Sequence, residues 1–196
     1  MDFFNDPARA LQLEQLRADT VAIRKAQGFA LIDLIFVIGI IGLLSSIAIP
    51  RMLLAQQAAG ASSAVGSLRT VSSAQLTYAL TCGNGFYSPD LPTLGVSPPG
   101  SSAPYISPGL SGGATVIRSG YLFQLEGTAY PGAPPTCNGL AVGAAAQGYR
   151  AGADPTTTGA VRFFAVNASG TIYEHTSELF TAMPEVGAPP IGRLLR

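Results

Sequence analysis

Between Phe29 and Ile49 the chain runs for twenty-one residues, FALIDLIFVIGIIGLLSSIAI, with a single ionisable side chain, Asp33, four positions in. A carboxylate there is costly, by roughly 3 kcal/mol at mid-bilayer on insertion scales, so an acid that persists in such a run either snorkels to the membrane surface at the helix N-terminus or has a partner charge. In the second case the chemistry is charge pairing. Beyond the run lie the only two cysteines, Cys82 and Cys137, which either bond or stay as buried thiols. The single histidine, His175, has no second His or Cys near it to complete a metal site and reads as a surface residue. No nucleophile elbow, P-loop or zinc-binding pair occurs, and 83-GNG-85 lacks the third glycine and preceding strand of a nucleotide-binding turn. The later acids Asp90, Glu126, Asp154, Glu174, Glu178 and Glu185 are scattered, without the spacing of a calcium loop. These residues argue against an enzyme and imply neither metal nor cofactor.

The element that must carry Asp33 is a helix. Twenty-one residues rise about 31 Å, the thickness of a bilayer's hydrocarbon core, so the run is read as a spanning segment. A secretory signal has a shorter apolar region of about 7–15 residues after a positive start. Here the first 26 residues carry four acids and four bases. Arg24 and Lys25 precede the run and hold that end in the cytoplasm, which places residues 1–28 inside and the C-terminal bulk outside. On that exported side thiols oxidise, and a Cys82–Cys137 disulfide is predicted.

The 196 residues suffice for one globular domain plus an appendage. Charged residues are 11% of the chain and the formal net charge is zero, as a membrane segment and a sparsely charged domain together would give. The seven arginines after the run stand singly, so no basic patch invites nucleic acid.

Gly39, Gly42, Ser45 and Ser46 put small residues along the apolar helix and let neighbouring helices approach. Pro50 removes a backbone donor, and a kink or loosening is expected near residues 46–50. Beyond it Leu54, Ala58, Ala61, Val65, Leu68, Val71, Gln75 and Tyr78 recur at helical spacing, extending one helix to about Leu80 with a mild apolar face. Gly60 and Gly66 each weaken this half by about 1 kcal/mol relative to alanine, so packing must hold it. Glycines and prolines from Thr81 stop the helix, and loop is expected up to Gly113. Strands are expected at 114–117, 121–125, 147–152, 161–166 and 171–175, with 167-NASG-170 as the turn of an antiparallel hairpin. Asn167-Ala-Ser169 also matches a glycan acceptor, but the turn accounts for it. The fold class is α+β: a long N-terminal helix packed on a C-terminal antiparallel sheet.

Gly28-Phe29, the acid at Asp33, Gly42 and the closing Ala48-Ile49-Pro50 resemble the N-terminal signature of type IV pilins and type II secretion pseudopilins. The resemblance covers about 25 contiguous positions and implies that residues 1–28 are a leader. A prepilin peptidase would cut between Gly28 and Phe29, and Phe29 would then be N-methylated. Residues 29–50 would form the transmembrane and filament-core half of the helix, 51–81 its amphipathic half, and 82–196 a globular β head. The new α-amino group of Phe29 is the partner that Asp33 needs: in a bundle of apolar helices it approaches Asp33 of a neighbouring copy and sets the axial register.

The resemblance implies a structural subunit of a helical homopolymer. Its expected partners are further copies of itself, the prepilin peptidase and methyltransferase, an inner-membrane assembly platform, minor pilins, and the membrane before assembly. The precursor would sit N-in, C-out in the bacterial inner membrane, and the product in an extracellular pilus or a periplasmic pseudopilus. A pilus subunit, a secretion pseudopilin and a minor pilin all fit. From another class, a membrane-anchored binding module that never polymerises would keep its N-terminus uncut.

Overall fold

The computed structural model describes residues 31–157 and 162–195. The chain divides into two compact units, Met1–Met52 and Leu53–Arg196.

Helix α1 spans Leu31–Thr81. In the first unit it is α-helical from Leu31 through Pro50, so the expected loosening near residues 46–50 does not break it. Ser46 donates its hydroxyl to the Leu43 carbonyl at 2.8 Å, a back-bond within the turn that Pro50 crowds. Every described side chain from Leu31 to Met52 is exposed except Ser45, which is half-buried.

In the second unit α1 packs on a six-stranded antiparallel sheet whose strands follow chain order. They are β1 (Thr115–Arg118), β2 (Tyr121–Glu126), β3 (Arg150–Pro155), β4 (Phe163–Asn167), β5 (Ile172–His175) and β6 (Arg193–Leu194). Side chains alternate across a strand, so one face of this meander can bury while the other needs its own cover. The helix-side face supplies Tyr121, Phe123 and Leu125 of β2, Ala151 and Ala153 of β3, Phe164 and Val166 of β4, and Ile172 of β5. Against them α1 sets Ala61, Ala64, Leu68, Val71, Ala74 and Tyr78. Full burial of side chains such as Leu68 and Phe123 contributes about 2–3 kcal/mol each, which offsets the cost of Gly60 and Gly66. The small alanines let the helix lie close to the sheet, and Gly60 closer still: a Cβ there would sit 2.9 Å from the Ser119 carbonyl oxygen.

That contact also marks where the buried face begins. Leu54 and Ala58, expected on it, are exposed, because the β1–β2 turn at Ser119-Gly120 ends the sheet's reach at Gly60. The opposite face of the sheet is covered by the segment after β5: Leu179 and Met183 bury against Ala165, with Phe163 and Tyr173 alongside.

The β4–β5 hairpin forms at 167–170 as expected, with Gly170 at φ +74° donating its N–H to the Asn167 carbonyl. Asn167 is fully buried; its side-chain amide donates to the carbonyls of Pro184 (2.9 Å) and Gly187 (2.6 Å), so it ties the covering segment down and is not presented as a glycan acceptor. Three expectations need correction. Strand β3 begins at Arg150 rather than residue 147, since Ala146 is already bridged to Tyr87 and Ala129 and Gly148 lies against Glu185 and Val186. The expected loop up to Gly113 contains two short helices, α2 (Leu91–Leu94), capped by Asp90 Oδ1 accepting from Thr93 N–H, and α3 (Pro108–Ser111). Strand β6 was not expected at all.

Candidate functional site

The boundary between Gly28 and Phe29 lies outside the described residues. Asp33 stands in the first turn of the described part of α1. Among the described residues it has no ion-pair partner. Around it Leu31, Ile32, Leu34, Ile35 and Phe36 are all more than half exposed. Exposed large apolar side chains then continue on all sides of the helix to Leu54, and α1 is the one described helix long and apolar enough to cross a membrane. Gly39 and Gly42 have open space around them: an added Cβ would meet nothing within 4 Å. Each costs about 1 kcal/mol in a helix interior, and no contact among the described residues requires it.

At the other end of α1 the cysteines are joined. Cys82, in the turn just past Thr81, bonds Cys137 with 4.9 Å between Cα atoms, across a separation of 55 residues. The Cys137 N–H also donates to the Cys82 carbonyl. The bond fastens the helix end to the middle of the head.

Three guanidinium groups are spent internally. Arg162 and Arg193 grip Glu174 from both sides at 2.6 and 2.7 Å, and Arg150 holds Glu126 at 2.6 Å. The hydrogen bond and charge of Arg162, with those of Arg193, hold the Glu174 carboxyl below the usual carboxylate range despite its burial. This cluster lines an open depression of about 590 Å³ with His175, whose Nδ1 accepts from the Ser177 N–H. Since both cations are committed to Glu174, the cluster's work is to pin β6 to β5.

Four further charges, Arg69, Arg118, Asp154 and Glu178, form no ion pair among the described residues. On the helix side, Arg69 of α1 and Arg118 of β1 are exposed and, among the described residues, without an acidic partner. They line two adjoining depressions of about 690 and 700 Å³ that share Thr70, Pro104 and Tyr105 as walls. Hydroxyls of Ser63, Ser67, Ser73 and Thr77 are among the lining groups, and no described carboxylate joins them.

On the opposite face sit Asp154 and Glu178. Ala151 and Ala153 point to the helix, so alternation sends Asp154 the other way, beside the covering segment that carries Glu178. Asp154 Oδ2 accepts from Gln124 Nε2 at 3.0 Å, whereas its Oδ1 is buried without a hydrogen-bond partner among the described residues. Burial, and then the Glu178 carboxylate, push Asp154 up to about 6 against the Gln124 hydrogen bond. Sequence reading saw these residues only as scattered charges; strand parity was the one signal that separates them by face.

Among the described residues no three His, Cys, Asp or Glu side chains gather into a group able to hold a metal ion. Comparison with known protein families, characterised proteins and solved structures finds no match.

Proposed function

We propose that the chain is a structural subunit of a type IV pilus-like filament, cut between Gly28 and Phe29 and assembled through its apolar helix. The observation that carries this reading is the state of α1 from Leu31 to Met52: apolar on every side, exposed, and interrupted by Gly39 and Gly42, which no contact among the described residues explains. Lipid covers such a surface before assembly. The helices of sister subunits cover it afterwards, and glycines then serve close approach between helices. Asp33 fits the same account. It lacks a partner within the described chain, and the α-amino group released on a neighbouring copy by cleavage would supply one. Peptidase, methyltransferase, assembly platform and minor pilins are the partners this reading requires. Neither catalysis nor a cofactor belongs to it.

Mass spectrometry of the purified protein tests it. A chain beginning at Phe29 and carrying one added methyl is the expected result. An intact Met1, with the protein solitary in lipid, would replace the proposal with a membrane-anchored binding module. A secretion pseudopilin shares the α1 features; dominance in sheared surface fractions separates a pilus subunit from it.

A further inference from the structure

Along the exposed side of α1 an open groove runs from Ser63 to Thr81, made of two adjoining depressions of about 690 and 700 Å³ that meet at Thr70, Pro104 and Tyr105. At about 1.5 Å per residue its helical floor is roughly 27 Å long, enough for several linked units of an extended polymer. We infer that this groove binds an acidic polysaccharide, a chain of sugars bearing carboxylates, with Arg69 and Arg118 holding the acid groups and the threonine and tyrosine oxygens receiving sugar hydroxyls. The inference goes beyond the filament reading and does not depend on it.

The two cations fix the sign of the ligand. Arg69 and Arg118 are exposed and form no ion pair among the described residues, and no described carboxylate lines either depression. A guanidinium fork matches a carboxylate with two parallel hydrogen bonds. Because the formal net charge of the chain is zero, attraction for an anion comes from the placement of these two groups and not from a general basic field.

Hydrogen-bond direction then selects the kind of anion. The Thr70 hydroxyl donates to the Gly66 carbonyl at 3.0 Å, Thr77 to the Ser73 carbonyl at 2.9 Å, and Thr81 to the Thr77 carbonyl at 2.7 Å. With the Thr81 proton so engaged, the Tyr105 hydroxyl donates to Thr81 Oγ1 at 3.1 Å. Each hydroxyl has one proton and room for two acceptor contacts. These four oxygens therefore offer lone pairs to a ligand and no proton. A ligand that fits brings hydroxyl donors as well as acids, which sugar acids do; the phosphodiester backbone of DNA brings acceptors alone. Pro98 and Pro104 add apolar wall against which the C–H face of a sugar ring packs. Gly66 supports the same use: it is exposed in mid-helix on the groove floor, and an added Cβ there would meet nothing within 4 Å. Its lack of a side chain keeps the floor open down to the backbone.

The test uses the full-length chain, purified in detergent, and polygalacturonate immobilised on a sensor surface. The wild type is expected to bind, and Arg69→Ala with Arg118→Ala to bind about tenfold more weakly, as the loss of two exposed charge-assisted contacts implies. Gly66→Leu is expected to weaken binding while leaving the thermal midpoint unchanged or higher, because leucine fills the floor yet is the better helix former. Soluble polygalacturonate should compete, neutral dextran should not, and single-stranded DNA at matched charge should compete only weakly. A wild-type chain that does not bind polygalacturonate overturns the inference, as does a double-alanine variant or a Gly66→Leu variant that binds as the wild type does. Equal competition by DNA would assign the groove to nucleic acid instead, and competition by dextran would remove the arginines from recognition. None of these outcomes touches processing at Gly28-Phe29, so the filament reading stands or falls separately.

Discussion

Gln75 and Ser88 hold each other as two adjacent strands would: the Gln75 Nε2 donates to the Ser88 carbonyl at 2.8 Å, and the Ser88 N–H donates to Gln75 Oε1 at 2.9 Å. Both residues are fully buried. A side chain on the inner face of α1 thus satisfies the backbone of the loop that leaves the helix. Leucine at position 75 has a similar volume but leaves a buried donor and a buried acceptor without partners. Gln75→Leu is therefore expected to destabilise the head by about 3 kcal/mol. Urea unfolding followed by far-UV circular dichroism measures this, since the chain has no tryptophan to report it. An unchanged midpoint would show that the pair contributes nothing.

The Cys82–Cys137 bond closes 55 residues of chain, most of which are loop, β1 and β2. In the chain-entropy account such a closure is worth about 4 kcal/mol. Replacing both cysteines by serine should lower stability by about that amount, and reductant should reproduce the effect in the wild type. The urea midpoint of oxidised and reduced protein, measured side by side, is the check.

Asp154 gives the head a pH dependence of definite sign. Its folded-state value, about 6, lies above the ordinary 3.8, so the folded state binds the proton more tightly than the unfolded chain. The resulting stability is fully present below pH 4 and is lost as pH rises through 6. Asp154→Asn should remove that slope and raise stability at pH 7. The full two-unit shift converts to about 3 kcal/mol, and screening of a half-buried group reduces this to about 1 kcal/mol. Thermal midpoints of both proteins between pH 4 and 7 decide it; parallel curves would contradict the assignment. Glu174 works in the opposite direction, since its lowered value makes its contribution present above about 4.5 and lost in more acidic solution.

If the chain is processed and assembled as proposed, Asp33 is expected to act after processing and before incorporation. Asp33→Ala should leave cleavage at Gly28-Phe29 intact while reducing filament yield, because the released amine then lacks its countercharge. Glutamate at this position would restore a carboxylate and is expected to support assembly. Cleaved protein accumulating in the membrane fraction, measured at matched expression, is the diagnostic result. Normal filament yield from the alanine variant would be incompatible with the pairing.

What the sequence determined by itself is local. The apolar run around Asp33, its length and its basic flank are contiguous, and a membrane reads composition and length directly. The helical spacing from Ala61 to Tyr78 and the turn at 167-NASG-170 were legible for the same reason: periodicity and a glycine at positive φ act within a few residues. The two cysteines needed only the inference that they lie outside the cell's reducing interior. Elsewhere local signals were weak. Ala151-Gly152-Ala153 have little strand propensity, and β3 forms because β2 and β4 pair with it on both sides. Strand β6 is two residues long and stands because Arg193 reaches Glu174. The match of Gln75 to Ser88, the division of Arg69 and Arg118 from Asp154 and Glu178, and the unpartnered Asp154 Oδ1 were decided only by tertiary structure. Each depends on which face of the sheet a side chain meets and on what crosses over it. Those facts are set by packing between segments tens of residues apart, which no local pattern encodes.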